Sequence, residues 1–103
     1  MIYELDCRYD TRKSFYGKAI VEENIINDKR PFGTIHEEDY RLFSYGTLVA
    51  RYYVYNNKKT YYYFGKYSCT TTRHQKEFFR QHELTDNEIK ELFKKGILEI
   101  KEC

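Results

Sequence analysis

The sequence predicts an α+β fold: a mostly antiparallel, twisted sheet of about five to six strands, with two C-terminal helices packed on one face. Three observations predict it. Strand-like runs occupy the chain up to about residue 69, and helical spacing begins only after them. The run Thr85-Asp86-Asn87-Glu88 is a capping box, and Gly96 is a left-handed stop eight residues after its end. An apolar stretch, Ile97-Leu98-Glu99-Ile100, then closes the order βββββααβ. Strands that come first and helices that come late argue for α+β and against repeated βαβ units. A chain of 103 residues is expected to form a single domain, 1–103.

The elements follow in order. Tyr3, Leu5, Cys7 and Tyr9 alternate with polar residues, so Ile2 to Tyr9 reads as a strand. Asp10 to Ser14 reads as a polar turn. Phe15 to Val21 reads as a strand or a short helix, and Gly17 with the adjacent Ile20 and Val21 favours the strand. Glu22 to His36 reads as a long loop, because it holds Asn24, Asn27, Asp28, Pro31 and Gly33. Tyr40 to Tyr45 and Thr47 to Tyr55 read as one strand or two, bent at Gly46. Asn56-Asn57-Lys58-Lys59 is the best hairpin turn in the chain, with its turning point at Asn56-Asn57 between two aromatic-rich runs. Thr60 to Phe64 and Lys66 to Cys69 form the returning strand.

The period then changes. Thr70-Thr71-Thr72 offers N-caps for a helix over Arg73 to His82, with Phe78 and Phe79 as its apolar stripe. A second helix runs from about Asp86 to Lys95. Its buried face is Ile89, Leu92 and Phe93, at i, i+3 and i+4.

Composition bounds the function. No apolar run is long enough to span a membrane, and the acids in Met1-Ile2-Tyr3-Glu4-Leu5-Asp6, where a signal peptide would need an apolar segment, lead to the expectation of none. Cys7, Cys69 and Cys103 are odd in number and share no short spacing, so they read as free thiols in a cytoplasmic protein. No glycine-rich phosphate loop occurs. Cys69 and His74 lack an orienting third group, which argues against a thiol nucleophile. His36, His74 and His82 have no zinc-ligand spacing. Neither a metal nor a cofactor is expected. A helix-turn-helix reading is weak, since Asp86 and Glu88 would face the phosphates.

Charge is unevenly spread. Residues 51–82 hold seven Lys/Arg against only Glu77, while the segments on both sides carry an excess of acid. Seven of the 12 tyrosines lie in the same block. The expected binding surface is therefore Arg51, Lys58, Lys59, Lys66, Arg73, Lys76 and Arg80, with Tyr53 and Tyr62 among the rings beside them. Arg73, Lys76 and Arg80 share a helix face. Such a set suits a protein partner, for which Tyr and Arg are frequent anchors, or single-stranded nucleic acid, whose bases stack on rings. The plainer reading is a strand rich in tyrosine and a helix showing charge to water. Glu37-Glu38-Asp39 forms a secondary acidic cluster beside the long loop.

Three segments carry a resemblance: Lys13-Ser14-Phe15-Tyr16-Gly17-Lys18-Ala19, Leu42 to Ala50 with Ser44-Tyr45-Gly46-Thr47 at its centre, and Tyr67 to Phe78 with Thr70-Thr71-Thr72-Arg73-His74. Together they resemble a pattern in small proteins of phages and mobile elements, over roughly residues 12–82. The resemblance implies a phage-related origin and carries over no catalytic residue. The same motifs also read as scaffold, with helix-capping hydroxyls and His74 tying strand to helix. Small size, that origin and the lack of chemistry lead to the expectation of a non-enzymatic stoichiometric binder. The foremost example is an anti-defence (anti-CRISPR) inhibitor of a host RNA-guided nuclease or its guide RNA. The alternative is a single-stranded nucleic acid or RNA-binding protein.

Overall fold

The computed structural model describes residues 1–10 and 14–101, without the side chain of Lys101. The centre of the expected turn at 10–14, Lys13 of the first resemblance segment, and Cys103 lie outside the described residues. Six strands form one sheet: β1 (Ile2–Glu4), β2 (Ala19–Arg30), β3 (Gly33–Ser44), β4 (Thr47–Tyr55), β5 (Lys58–Tyr63) and β6 (Ile97–Lys101). Helices α1 (Cys69–Gln81) and α2 (Asp86–Lys95) stand between β5 and β6. The α+β class, the element order and the antiparallel sheet are as the sequence predicts. The spatial order equals the chain order, and every neighbouring pair is antiparallel.

Two tight turns set the register of the central strands. Ser44 pairs with Thr47 across Tyr45-Gly46, and Tyr55 pairs with Lys58 across Asn56-Asn57. All four turn residues have positive φ: 51° and 81° in the first turn, 49° and 85° in the second. That left-handed pair is what a two-residue hairpin on twisted strands requires. Gly46 therefore ends one strand and starts another, and does not bend a single strand. The irregularity lies three residues later. Leu42 pairs with Ala50 and Phe43 with Leu48, which leaves Val49 as a bulge.

Register and contacts assign the faces. Tyr40, Leu42 and Ser44 of β3, Ala50, Tyr52 and Val54 of β4, and Tyr61 and Tyr63 of β5 point to the helices. Tyr52 stacks on His82 at 4.4 Å, Tyr63 on Phe93 at 4.3 Å, and the Tyr61 hydroxyl donates to the His82 carbonyl at 2.8 Å. The core lies between: Val21, Leu42, Val49, Ala50 and Tyr61 from the sheet, Phe78, Phe79, Ile89 and Leu92 from the helices, and Leu5 and Phe15 from the N-terminal segment.

Local signals fix the helix ends. Ser68 caps α1 by accepting from the Thr71 amide at 3.1 Å. The helix thus begins at Cys69, four residues before the expected Arg73, because Ser68 offers its oxygen earlier than the Thr70–Thr72 run. Thr85 and Glu88 form the reciprocal capping box, and Gly96 ends α2 at φ 79°. β1 stops at Glu4, not Tyr9. Glu77 takes over the next segment by accepting from the Tyr9 and Asp10 amides at 2.7 and 2.9 Å. The returning strand β5 ends at Tyr63, so Phe64 to Ser68 connects it to α1.

The largest departure from the sequence reading is at Glu22 to His36. This is no loop: it is most of β2 and the start of β3, paired continuously from Ala19↔Ser44 to Arg30↔Gly33. β1 accompanies β2 only as far as Glu22, and β4 accompanies β3 only up to Glu37. Beyond those points the hairpin is a two-stranded arm turning at Pro31-Phe32. It contributes to the elongated outline of 47 × 28 × 21 Å.

Candidate functional site: the arm and the uncovered sheet face

Both helices lie on one side of the sheet, so the opposite face carries the remaining strand residues. Reading across the ladder, Ile26, Glu37, Tyr55 and Lys58 form one row. Asn24, Asp39, Tyr53, Thr60 and Glu99 form the next. Glu22, Arg41, Arg51, Tyr62 and Ile97 form the third.

Arg51 is held on this face by a carboxylate and two rings. Its Nε and Nη2 donate to the two oxygens of Asp39 at 2.8 and 3.1 Å. Its guanidinium carbon lies 4.8 Å from the Tyr53 ring centre and 5.5 Å from that of Tyr62. Tyr62 in turn stacks on Phe64, with the rings 7° from parallel. Arg41 sits directly opposite Arg51, and such like-charge pairs repel. Asp39 resolves the conflict by also meeting Arg41 Nη2 at 3.3 Å. The Asp39 hydrogen bonds, ahead of any other cause, raise the Arg51 pKa above its ordinary value.

The arm extends this surface. Ile25 and Ile26 are about half exposed, and Phe32 at the tip is fully exposed. Its root is braced: His36 donates its amide to Asn56 Oδ1 at 2.9 Å, and the Asn56 amide donates to the His36 carbonyl at 2.9 Å. The His36 ring bridges the Asn27 side chain and Glu38, the latter at 3.0 Å. Burial pushes the Glu38 carboxyl upward, but hydrogen bonds from Tyr40 and His36 outweigh it and hold Glu38 below the usual carboxylate range. The expected acidic cluster is therefore split by the strand period. Glu37 and Asp39 point to the uncovered face, and Glu38 points to the side that carries the helices.

The seven cations expected to make one patch occupy separate places. Arg51 and Lys58 lie on the uncovered face with Tyr53 and Tyr62, and Lys58 pairs with Glu99 at 3.5 Å. Lys59 points the other way and meets Glu83 at 3.3 Å. Arg73 is bonded to Asp10 on the N-terminal segment at 3.2 Å. Lys66, Lys76 and Arg80 border a groove between the helices, where Arg80 meets Asp86 at 2.7 Å. Lys90 joins them there. Charge counting along the chain passes over Lys90 because it stands in the acidic tail. It passes over Phe32 because an isolated aromatic in a Pro-Gly segment reads as turn.

The polar motif residues lie inside. Ser44 and His74 are buried, with Ser44 Oγ 2.8 Å from His74 Nδ1 and 2.9 Å from Thr71 Oγ1. Cys69 is exposed at the start of α1, while His74 is turned into the core towards Ser44. Among the described residues no group of three His, Cys, Asp or Glu is placed to hold a metal ion, and no helix is long and apolar enough to cross a membrane.

No curated protein and no solved structure matches the chain. Residues 3–95, nearly the whole sequence, match a family of unknown function (DUF8033), and the chain belongs to that family.

Proposed function

We propose that this is a non-enzymatic binding protein that engages a partner protein through the arm and the uncovered sheet face. The single observation that carries the reading is Phe32. It stands fully exposed at the tip of a ribbon two strands wide, beyond the last residues that β1 and β4 support. A two-stranded hairpin is marginal in water by itself. Burying a phenylalanine side chain in a partner contributes about 1.5–3 kcal/mol. The Arg51–Asp39 pair with its two tyrosines supplies a second anchor, already held in place, so little order is lost on binding.

Charge favours protein over nucleic acid on this face. Glu22, Glu37, Asp39 and Glu99 balance Arg41, Arg51 and Lys58. A surface that tracks a phosphate backbone needs an excess of cations. The non-catalytic part of the reading rests on Ser44 and His74, whose bond is enclosed in the core. A host defence nuclease is the partner class we put first, on the strength of the sequence resemblance and the small size.

The test is an interference assay. Plasmid clearance by an RNA-guided nuclease is measured with and without the wild-type chain, and with Phe32→Asp and Arg51→Glu variants that keep the wild-type melting curve. Protection by the wild type and loss in the variants supports the reading. Equal protection by all three moves the contact off this surface, and salt-sensitive retention on an oligonucleotide column without protection favours the RNA-binding alternative.

A further inference from the structure

The groove between α1, α2 and the segment after β5 is a second surface of different chemistry. It encloses about 400 Å³, within the range of small-molecule sites. Tyr63, Ile89 and Phe93 make its apolar wall, with Tyr63 and Phe93 stacked 18° from parallel. Lys66, Lys76 and Lys90 border it, and each comes from a different element: the β5–α1 connection, α1 and α2.

These three ammonium groups meet no carboxylate among the described residues. Cations elsewhere in the fold do: Lys58, Lys59, Arg73 and Lys95 each face an acid, and so does Arg80 at the groove itself. Arg80 consumes Asp86, the one acid bordering the groove, at 2.7 and 3.1 Å. The fold thus gathers three uncompensated positive charges around a hollow with an aromatic wall. Like charges that converge repel, and a bound anion relieves the repulsion. One compact group with several negative charges meets three lysines around one groove better than single carboxylates spaced along a peptide.

We propose that this groove binds a nucleotide, with its phosphates among Lys66, Lys76 and Lys90 and its base against the Tyr63–Phe93 wall. The nucleotide is either free or part of a single strand, since both present the same phosphate and ring. The site lies on the helix side, away from the arm and the uncovered face. Its failure therefore leaves the protein-binding reading standing, and the reverse also holds.

Calorimetric titration of the whole chain at low salt tests it, with ADP, pyrophosphate and a short oligoadenylate as probes. ADP is expected to bind, and more tightly than pyrophosphate, because only ADP has a base for the wall. A Lys76→Glu, Lys90→Glu double variant with an unchanged melting midpoint should bind ADP at least about tenfold more weakly, a loss of about 1.4 kcal/mol. If that variant does not fold, Lys66→Glu in the connecting segment takes its place. An oligoadenylate that binds much more tightly than ADP identifies a strand as the source, and one that binds no better identifies the free nucleotide. Absence of binding by both ADP and the oligoadenylate overturns the proposal. So does equal affinity for ADP and pyrophosphate, or undiminished binding in the folded variants.

Discussion

Ser44 Oγ lies 2.8 Å from His74 Nδ1, joining the last residue of β3 to the second turn of α1 across the buried interface. Thr71 adds a bond to the same hydroxyl at 2.9 Å, and Ser68 reaches Thr71 at 3.3 Å, so a chain of hydroxyls runs from the helix cap to the sheet. Four residues of the resemblance motifs, Ser44, Ser68, Thr71 and His74, thus serve the scaffold. They specify how α1 sits on the sheet.

Ser44→Ala should lower stability by about 1–3 kcal/mol, since buried partners lose a hydrogen bond that water cannot replace. Chemical denaturation of Ser44→Ala, His74→Phe and the double variant checks it. Coupling between the two sites is expected; strict additivity would mean that they do not support one another.

Phe78 and Phe79 are fully buried, and Phe78 meets the His82 ring at 4.8 Å. Phe78→Ala should cost about 3–5 kcal/mol, through lost transfer energy and the cavity left behind. That is a large part of a typical total of about 5–15 kcal/mol. The denaturation midpoint reports it, and a midpoint close to wild type would contradict the packing described.

His82 gives the fold an acid-sensitive point. Its ring lies among Tyr40, Tyr52 and Phe78, and burial lowers its pKa from 6.5 to about 4, against a smaller opposite pull from Glu38. The unfolded chain therefore binds a proton near pH 6.5 that the folded chain refuses until about pH 4. His82 leaves stability intact above the unfolded value and removes it as pH falls from about 6.5 towards 4, by on the order of 3 kcal/mol. Denaturation midpoints across this window should slope less in a folded His82→Gln variant than in the wild type. Equal slopes would assign the acid sensitivity to other groups.

Asp39 has a different role from its neighbours in the acidic run. Asp39→Ala should free Arg51 and leave Arg41 and Arg51 facing each other without a counter-ion. A loss of about 1–3 kcal/mol in stability is expected, as for hydrogen bonds to charged groups. Glu37→Ala, one pair further along the same face, should change stability by no more than about 0.5 kcal/mol. Thermal melts of the two variants side by side distinguish the roles.

Local signals in the sequence determined the elements whose chemistry is self-contained. Thr85, Glu88 and Gly96 fix α2 because capping and the left-handed stop act within one turn of backbone. Asn56-Asn57 fixes the β4–β5 hairpin because few residues tolerate positive φ twice in succession. Ile89 and Leu92 announce a buried face by their spacing. Tertiary structure alone decided the rest. β2 and β3 extend through residues 22–36 by pairing with each other, and an arm exposed on both sides imposes no alternation of polar and apolar residues for a reader to detect. The basic block from Arg51 to Arg80 looks continuous along the chain. The two-residue period of the strands sends Lys58 and Lys59 to opposite faces, and the turn of α1 carries Arg73 towards Asp10 and away from the groove at Lys66 and Lys90. Charge is counted along the chain, but its field is set by which side of a strand or helix each residue occupies.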